Sequence, residues 1–275
     1  MQQSNQAYLA SLNSSQLEAA THGEGPALVL AGPGSGKTTV IVKRILYLIK
    51  EMQIPPEEIL VVTFTKDAAM SMQQRFAQQD KQAYPVNFGT FHSIFYHIIM
   101  EAGYSPHILS QTQKKGIMTE ILRQEAAKTG TYYDYDAIKA EADDFLRAIG
   151  FYKNTQDLEA AEKFLPTPKN SSPNSPQKNN FMEIFELYQR QCRIQGGLDF
   201  DDMLYECRRL LLENEAKREY WQKRFRYILI DEFQDINPLQ YEVVKLLGER
   251  HGNLFAVGDD YQAIYCFRGS KHACL

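Results

Sequence analysis

The chain has 275 residues, of which 44% are hydrophobic and 23% charged. This is the balance of a soluble globular protein of one or two domains, and it excludes wholesale disorder, a collagen-like repeat and a coiled coil. With 30 basic and 34 acidic residues the net charge is −4, which excludes a broad basic footprint and leaves only a local groove for any nucleic acid.

In chain order, residues 1–6 (MQQSNQ) show neither the basic start nor the apolar region of a secretory signal. Five short apolar runs follow at 27–31 (ALVLA), 59–64 (ILVVTF), 86–91 (VNFGTF), 227–230 (YILI) and 254–257 (LFAV). They are not alternating and are rich in Val, Ile and Phe, as strands covered on both faces are. Between the first two, Ile41, Ile45, Leu48 and Ile49 share one helical face, and Pro55-Pro56 is expected to end that helix. The alternation predicts an α/β parallel sheet with right-handed crossovers.

Residues 31–38 read AGPGSGKT directly after the first strand, the GxxxxGK[ST] pattern with Ala31 at its first position. Gly32, Gly34 and Gly36 let backbone N–H groups around Ser35 curl about phosphate oxygens with no Cβ in the way. A helix beginning near Lys37 turns its positive dipole end to the anion. Lys37 then reaches the β- and γ-phosphates, and the Thr38 hydroxyl ligates Mg²⁺.

From residue 91 to 227 the pattern is helical, with stretches at 93–101, 113–127, 135–149, 181–194 and 200–212 and no strand-like run. This predicts a helical subdomain inserted into the α/β domain. Within it, residues 166–180 (PTPKNSSPNSPQKNN) hold no hydrophobe, so a mobile loop is expected there. The fourth apolar run ends in Asp231-Glu232. Asp231 suits Mg²⁺, and Glu232 is placed to polarise a water. Two acids after a strand also occur as a solvated turn; the phosphate loop favours the site. Cys192, Cys207, Cys266 and Cys274 form no CxxC pair and read as free thiols of a reducing, cytoplasmic compartment. No run of 18 apolar residues is present, so no membrane-spanning helix is expected.

Six segments together resemble one family. Residues 231–235 (DEFQD), with Pro238 and Gln240, resemble the second motif of superfamily 1 DNA helicases of the UvrD/Rep/PcrA type. Residues 257–269 (VGDDYQAIYCFRG) resemble their third, and 12–16 (LNSSQ) their adenine-reading Q motif. Residues 63–69 (TFTKDAA) resemble motif Ia, 89–93 (GTFHS) the TFH element, and 198–202 (LDFDD) a DFDDL element. Lys66-Asp67 stands where relatives commonly have Asn-Lys, Thr39 where many have Arg, and Ser270 where they have Ala.

The resemblance implies a RecA-like ATP-binding lobe (1A) from residues 1–93 and 205–275, with an inserted helical subdomain (1B) at 94–204. It implies ATP-driven 3′→5′ translocation on single-stranded DNA and unwinding at duplex junctions, with ATP and Mg²⁺. Gln16 would read the adenine edge, and Gly32, Gly34, Ser35, Gly36, Lys37, Thr38 and Thr39 would hold the phosphates. Gln262 would sit near the γ-phosphate and Arg268 would stabilise its charge. Phe64, Thr65, Thr90, His92, Tyr265 and Phe267 would lie on the DNA side, where base–aromatic stacking tolerates any sequence. Phe64 and Phe267 also suit a core, and His92 an ordinary polar position. The family carries a second RecA-like lobe, in this case expected in cis or in trans. Without it the chain is expected to bind nucleotide weakly and not to unwind, and the alternative is a nucleotide- or DNA-binding module with no helicase activity of its own. A GTPase would want an NKxD-type segment, which the sequence does not show.

Overall fold

All five apolar runs form strands, and all of them pair in parallel. They are β1 (Ala27–Leu30), β2 (Ile59–Thr63), β3 (Asn87–Thr90), β6 (Tyr227–Ile230) and β7 (Leu254–Gly258), in the order β1-β7-β6-β2-β3. The computed structural model describes residues 6–80, 82–103, 107–128, 130, 134–165, 180–198 and 201–259. These fall into two units. One gathers residues up to Phe95, Leu210–Ile236 and the segment from Gln240 on; the other gathers Tyr96–Arg209 with Asn237–Leu239.

In the first unit the sheet is covered on both faces, which is why its strands read as continuous apolar runs. Ile59, Val61, Tyr227, Leu229, Phe255 and Val257 pack with Val40, Ile41, Ile45 and Leu48 of α2 (Lys37–Lys50), and with Met72 and Phe76 of α3 (Lys66–Ala77). The alternate residues Leu60, Val62, Ile228, Ile230 and Ala256 are buried too. On that side Tyr241 and Val244 of α11 (Pro238–Gly248) line, with Ile230 and Ala256, a cavity of about 250 Å³. Each buried aliphatic or aromatic side chain contributes roughly 1.5–3 kcal/mol. β1 is an edge strand in the described sheet, and its Leu30 is 46% exposed.

Two details of α2 differ from the sequence reading. Val40 to Leu46 are buried all round, because α1 (Ser14–Ala20) and α3 flank the helix as well as the sheet, so no solvent face remains. The helix also ends at Lys50, before Pro55-Pro56. Gln53 is left-handed at φ +57°, and Ile54 N–H reaches back to Leu48 O at 2.9 Å, which closes the helix without the prolines. Inside this core lies Arg44, 1% exposed. Its guanidinium donates to His22 O (2.6 Å) and Gly23 O (3.1 Å) and stacks 4.5 Å over the Phe255 ring. Burial pushes its pKa down to about 10, so it remains charged at neutral pH. It ties the chain entering β1 to α2, on either side of the glycine-rich loop.

The second unit is helical: the C-terminal part of α4 (Phe91–Glu101), α5 (Gln111–Lys128), α6 (Tyr135–Thr155), α7 (Leu158–Glu162), α8 (Phe181–Ile194) and most of α9 (Asp202–Glu213). The helix α10 (Glu215–Arg224) belongs to the first unit. A two-residue parallel pair, β4 (His107–Ile108) with β5 (Gly197–Leu198), departs from the expectation of no strand here. It is too short to leave a period-2 signal. Met118, Leu122, Ala142, Phe145, Phe181, Ile184, Tyr188 and Cys192 form its core. The expected mobile loop falls, from 166 to 179, outside the described residues.

The described acids of the 198–202 element are structural here. Asp201 accepts from Asn154 Nδ2 at 2.9 Å, and Asn154 Oδ1 accepts from Asn237 Nδ2 at 2.9 Å. Asp202 and Lys153 form an ion pair in which both side chains are 0% exposed. Gln189 Nε2 donates to Asp202 at 2.7 Å, and the Lys153 ammonium lies 5.3 Å from the Tyr188 ring centre. Breaking a buried pair leaves one charge uncompensated, whereas replacing both partners removes the desolvation cost as well. Asp202→Ala is therefore expected to lose about 3–5 kcal/mol of stability, and Asp202→Leu with Lys153→Met to recover most of it, as read by urea unfolding. Equal losses in the single and double variants would show that packing, not charge pairing, dominates there.

Candidate nucleotide and DNA site

A parallel sheet delivers the carboxyl ends of its strands to one edge. Leu30 pairs with Gly258, Ile230 with both Ala256 and Val62, and Thr63 with Thr90. The glycine-rich loop, the Asp231-Glu232 turn, Phe64-Thr65, the start of α4 and Asp259 therefore all leave the same edge of the first unit.

β1 runs into the loop. Gly34 and Gly36 have φ of +76° and +88°, a backbone that side-chain-bearing residues rarely adopt. At Gly32 and Gly34 an added Cβ would meet nothing within 4 Å, so the concave backbone is open to a ligand. No side chain caps α2, and the N–H groups of its first turn, at Lys37, Thr38 and Thr39, have no intrahelical acceptor. Such a helix start binds phosphate.

β6 runs into the acidic turn. Asp231 N–H is held by Val62 O at 3.0 Å, and its carboxylate accepts from Glu232 N–H at 3.1 Å. Glu232 is left-handed at φ +51°, which costs a non-glycine residue roughly 1–2 kcal/mol. In that conformation Glu232 Oε2 lies 3.3 Å from Lys37 Nζ. The Lys37 side chain is 12% exposed and that of Glu232 40%. Burial, then the neighbouring Glu232 charge, raises the Asp231 carboxyl to about 6, against the lowering effects of the Glu232 N–H and Lys37.

Hard oxygen donors and a buried carboxyl that resists carrying its charge alone fit Mg²⁺. Among the described residues no group of three or more His, Cys, Asp or Glu side chains could hold a metal ion. Mg²⁺ needs no such cage, since it takes one or two carboxylates together with phosphate and water. Asp231 and Thr38 are the residues of this edge that would serve.

Gln234 carried no individual role in the sequence reading. Its Nε2 donates to Glu232 Oε2 at 2.7 Å, and its Oε1 accepts from Asp259 N–H at 3.0 Å. It therefore joins the acidic turn to the end of β7. Only its position two residues beyond Glu232 hints at this. Gln16 lies in the first turn of α1. Its Oε1 accepts from Asn13 N–H at 3.1 Å, and its Nε2 donates to Ser35 O in the loop at 2.8 Å.

Along the edge, Phe64 is 54% exposed, which leaves its ring face accessible and not in the core. Thr65 caps α3 by accepting from Ala68 N–H at 3.1 Å. Thr90 exchanges hydrogen bonds with Ser93 at the start of α4, and His92 is half-buried beside it. Gln262, Tyr265, Phe267 and Arg268 lie outside the described residues. Among the described residues no helix is long and apolar enough to cross a membrane.

Residues 12–275 match the family model described as UvrD/REP helicase N-terminal domain. The chain is 39% identical over 265 residues to "Putative ATP-dependent DNA helicase YjcD" of Bacillus subtilis (strain 168), covering 94% of this chain and 33% of that protein. It is 34% identical over 275 residues to ATP-dependent DNA helicase PcrA of Staphylococcus aureus (strain Mu50 / ATCC 700699), covering 96% of this chain and 35% of that protein. The same figures hold for PcrA of Staphylococcus epidermidis: 34% identity over 275 residues, 96% and 35%. The chain thus spans 33% to 35% of the length of these relatives.

Proposed function

The chain belongs to the UvrD/REP helicase N-terminal domain family, and from that premise we propose that it is the ATP-binding part of an ATP-dependent 3′→5′ DNA translocase and helicase. The observation that carries the reading is the 3.3 Å approach of Lys37 to Glu232 across two strand ends. It supports one triphosphate site built from the glycine-rich loop and the acidic turn.

In this reading the loop N–H groups and Lys37 bind the β- and γ-phosphates, and Gln16 reads the adenine edge. Thr38 and Asp231 hold Mg²⁺, which when bound neutralises charge on the phosphate oxygens. Glu232 accepts a proton from the water that attacks the γ-phosphorus as the bond to the β,γ-bridging oxygen breaks and ADP leaves, and Gln234 keeps the Glu232 carboxylate in place. The roles proposed for Gln262 and Arg268 are to sense the γ-phosphate and to stabilise its developing charge. The inserted helices would form subdomain 1B and the parallel-sheet unit lobe 1A. Translocation takes a second RecA-like lobe, in cis or in trans, that closes and opens with the nucleotide. Without it the chain is expected to act as a nucleotide- and single-strand-binding module.

Phe64, Thr65, Thr90 and His92 are proposed to meet single-stranded DNA, with Phe64 as the stacking platform. Stacking on one aromatic ring contributes roughly 1–3 kcal/mol per base. Phe64→Ala is accordingly expected to weaken binding of a fluorescent oligothymidine about tenfold and to leave ATP binding unchanged, as measured by anisotropy and calorimetry. Failure of the wild-type chain to bind oligothymidine would remove the DNA half of the proposal, and failure to bind ATP the other half.

A further inference from the structure

We propose that Gln16 is a positioning residue for the phosphate loop, acting on triphosphate binding whether or not a base is present. The inference rests on the nucleotide reading of the site and adds to it a mechanical role for the residue otherwise assigned to adenine.

The argument is an inventory of one amide. A glutamine side chain has two acceptor lone pairs and two N–H donors. In Gln16 one lone pair is taken by Asn13 N–H, and one N–H is given to the Ser35 carbonyl. Asn13 Oδ1 in turn accepts from Gln16 N–H at 2.9 Å, completing a reciprocal cap on α1. The backbone N–H of Asn13, not its side chain, fixes the rotamer of Gln16, and α1 is anchored against the central core by Ala20 and by Leu12 just before it. The donor that reaches Ser35 O is thus held from a rigid base.

What it holds is the least conventional stretch of the loop. Ser35 is followed by Gly36 at φ +88°, and Gly36 by the first turn of α2. A Cβ on Gly36 would meet Gln16 Nε2 at 2.8 Å, so the amide lies directly against the left-handed glycine that starts α2. The remaining lone pair and N–H of Gln16 form one acceptor and one donor, which is what an adenine edge requires. One N–H of the amide holds the loop and one lone pair meets the helix cap, which leaves one donor and one acceptor for a base.

The test uses two probes, ATP and inorganic tripolyphosphate, each with Mg²⁺. Binding to the full chain is measured by calorimetry, and amide hydrogen exchange over residues 32–39 is followed in the ligand-free protein. Gln16→Ala and Gln16→Glu both lose the donor to Ser35. Each is expected to weaken tripolyphosphate about fivefold, the scale of one hydrogen bond, to weaken ATP by at least as much because the adenine contact goes too, and to speed exchange in the loop. Asn13→Ala removes the helix cap yet keeps the donor, so it is expected to leave both affinities and loop exchange within about twofold of wild type. That contrast separates the tether from a general loosening of α1. A Gln16→Ala chain that loses ATP affinity but binds tripolyphosphate like wild type, with unchanged loop exchange, would overturn the proposal and leave Gln16 a base reader only. A wild-type chain that binds neither probe would sink the nucleotide reading, and the exchange comparison would then still decide the tether.

Discussion

Lys37→Ala is expected to lose nucleotide binding by about a hundredfold or more, the scale for truncating one partner of a desolvated charge contact. Two effects add. The variant lacks the ammonium that would meet the β- and γ-phosphates, and it also leaves the acidic turn without its counter-charge. Lys37 now sits 3.3 Å from Glu232 and lowers the pKa of Asp231. With it gone, two carboxylates would face a polyanion. Calorimetric titration of Mg·ATP checks this result. Equal affinity in wild type and Lys37→Ala would mean that the glycine-rich loop is not the phosphate site.

Glu232→Gln is expected to separate binding from turnover. The amide keeps an oxygen to accept from Gln234 Nε2, so the left-handed turn and its link to Asp259 persist. It cannot take a proton from water, and positioned general-base catalysis contributes about 10²–10⁴-fold. Residual ATP hydrolysis should fall by that range. Affinity should hold or tighten, because Lys37 is released from its carboxylate partner and Asp231 loses the neighbouring charge that, after burial, does most to raise its pKa. Phosphate release and calorimetry on the same preparation measure both quantities. Undiminished hydrolysis would move the general-base role elsewhere.

Of the fold, the strands were legible because a sheet buried on both faces demands apolar residues at every position, and runs such as ILVVT at β2 have no other economical reading. The phosphate loop was legible because its glycines are required by local backbone geometry: Gly34 and Gly36 stand at positive φ. Helix ends were less so. α2 stops at Lys50 through a left-handed Gln53, a solution with no composition signal, and not at Pro55. The buried Lys153–Asp202 pair was not legible either. Two charged residues far apart in sequence read as surface until packing removes their water.

The sequence alone determined the five strands of the main sheet, the octet 31–38, the acids 231–232 and the family they belong to, since each of these is written in neighbouring residues. The tertiary structure decided which of them meet. The order β1-β7-β6-β2-β3 puts β7 between the loop's strand and the acids' strand, yet the left-handed Glu232 carries its carboxylate to Lys37. It also decided that Gln16 and Gln234 each grip a backbone group of the site, at Ser35 O and Asp259 N–H. A side-chain amide has the same composition wherever it stands, and only a fixed backbone gives it a partner at hydrogen-bonding distance.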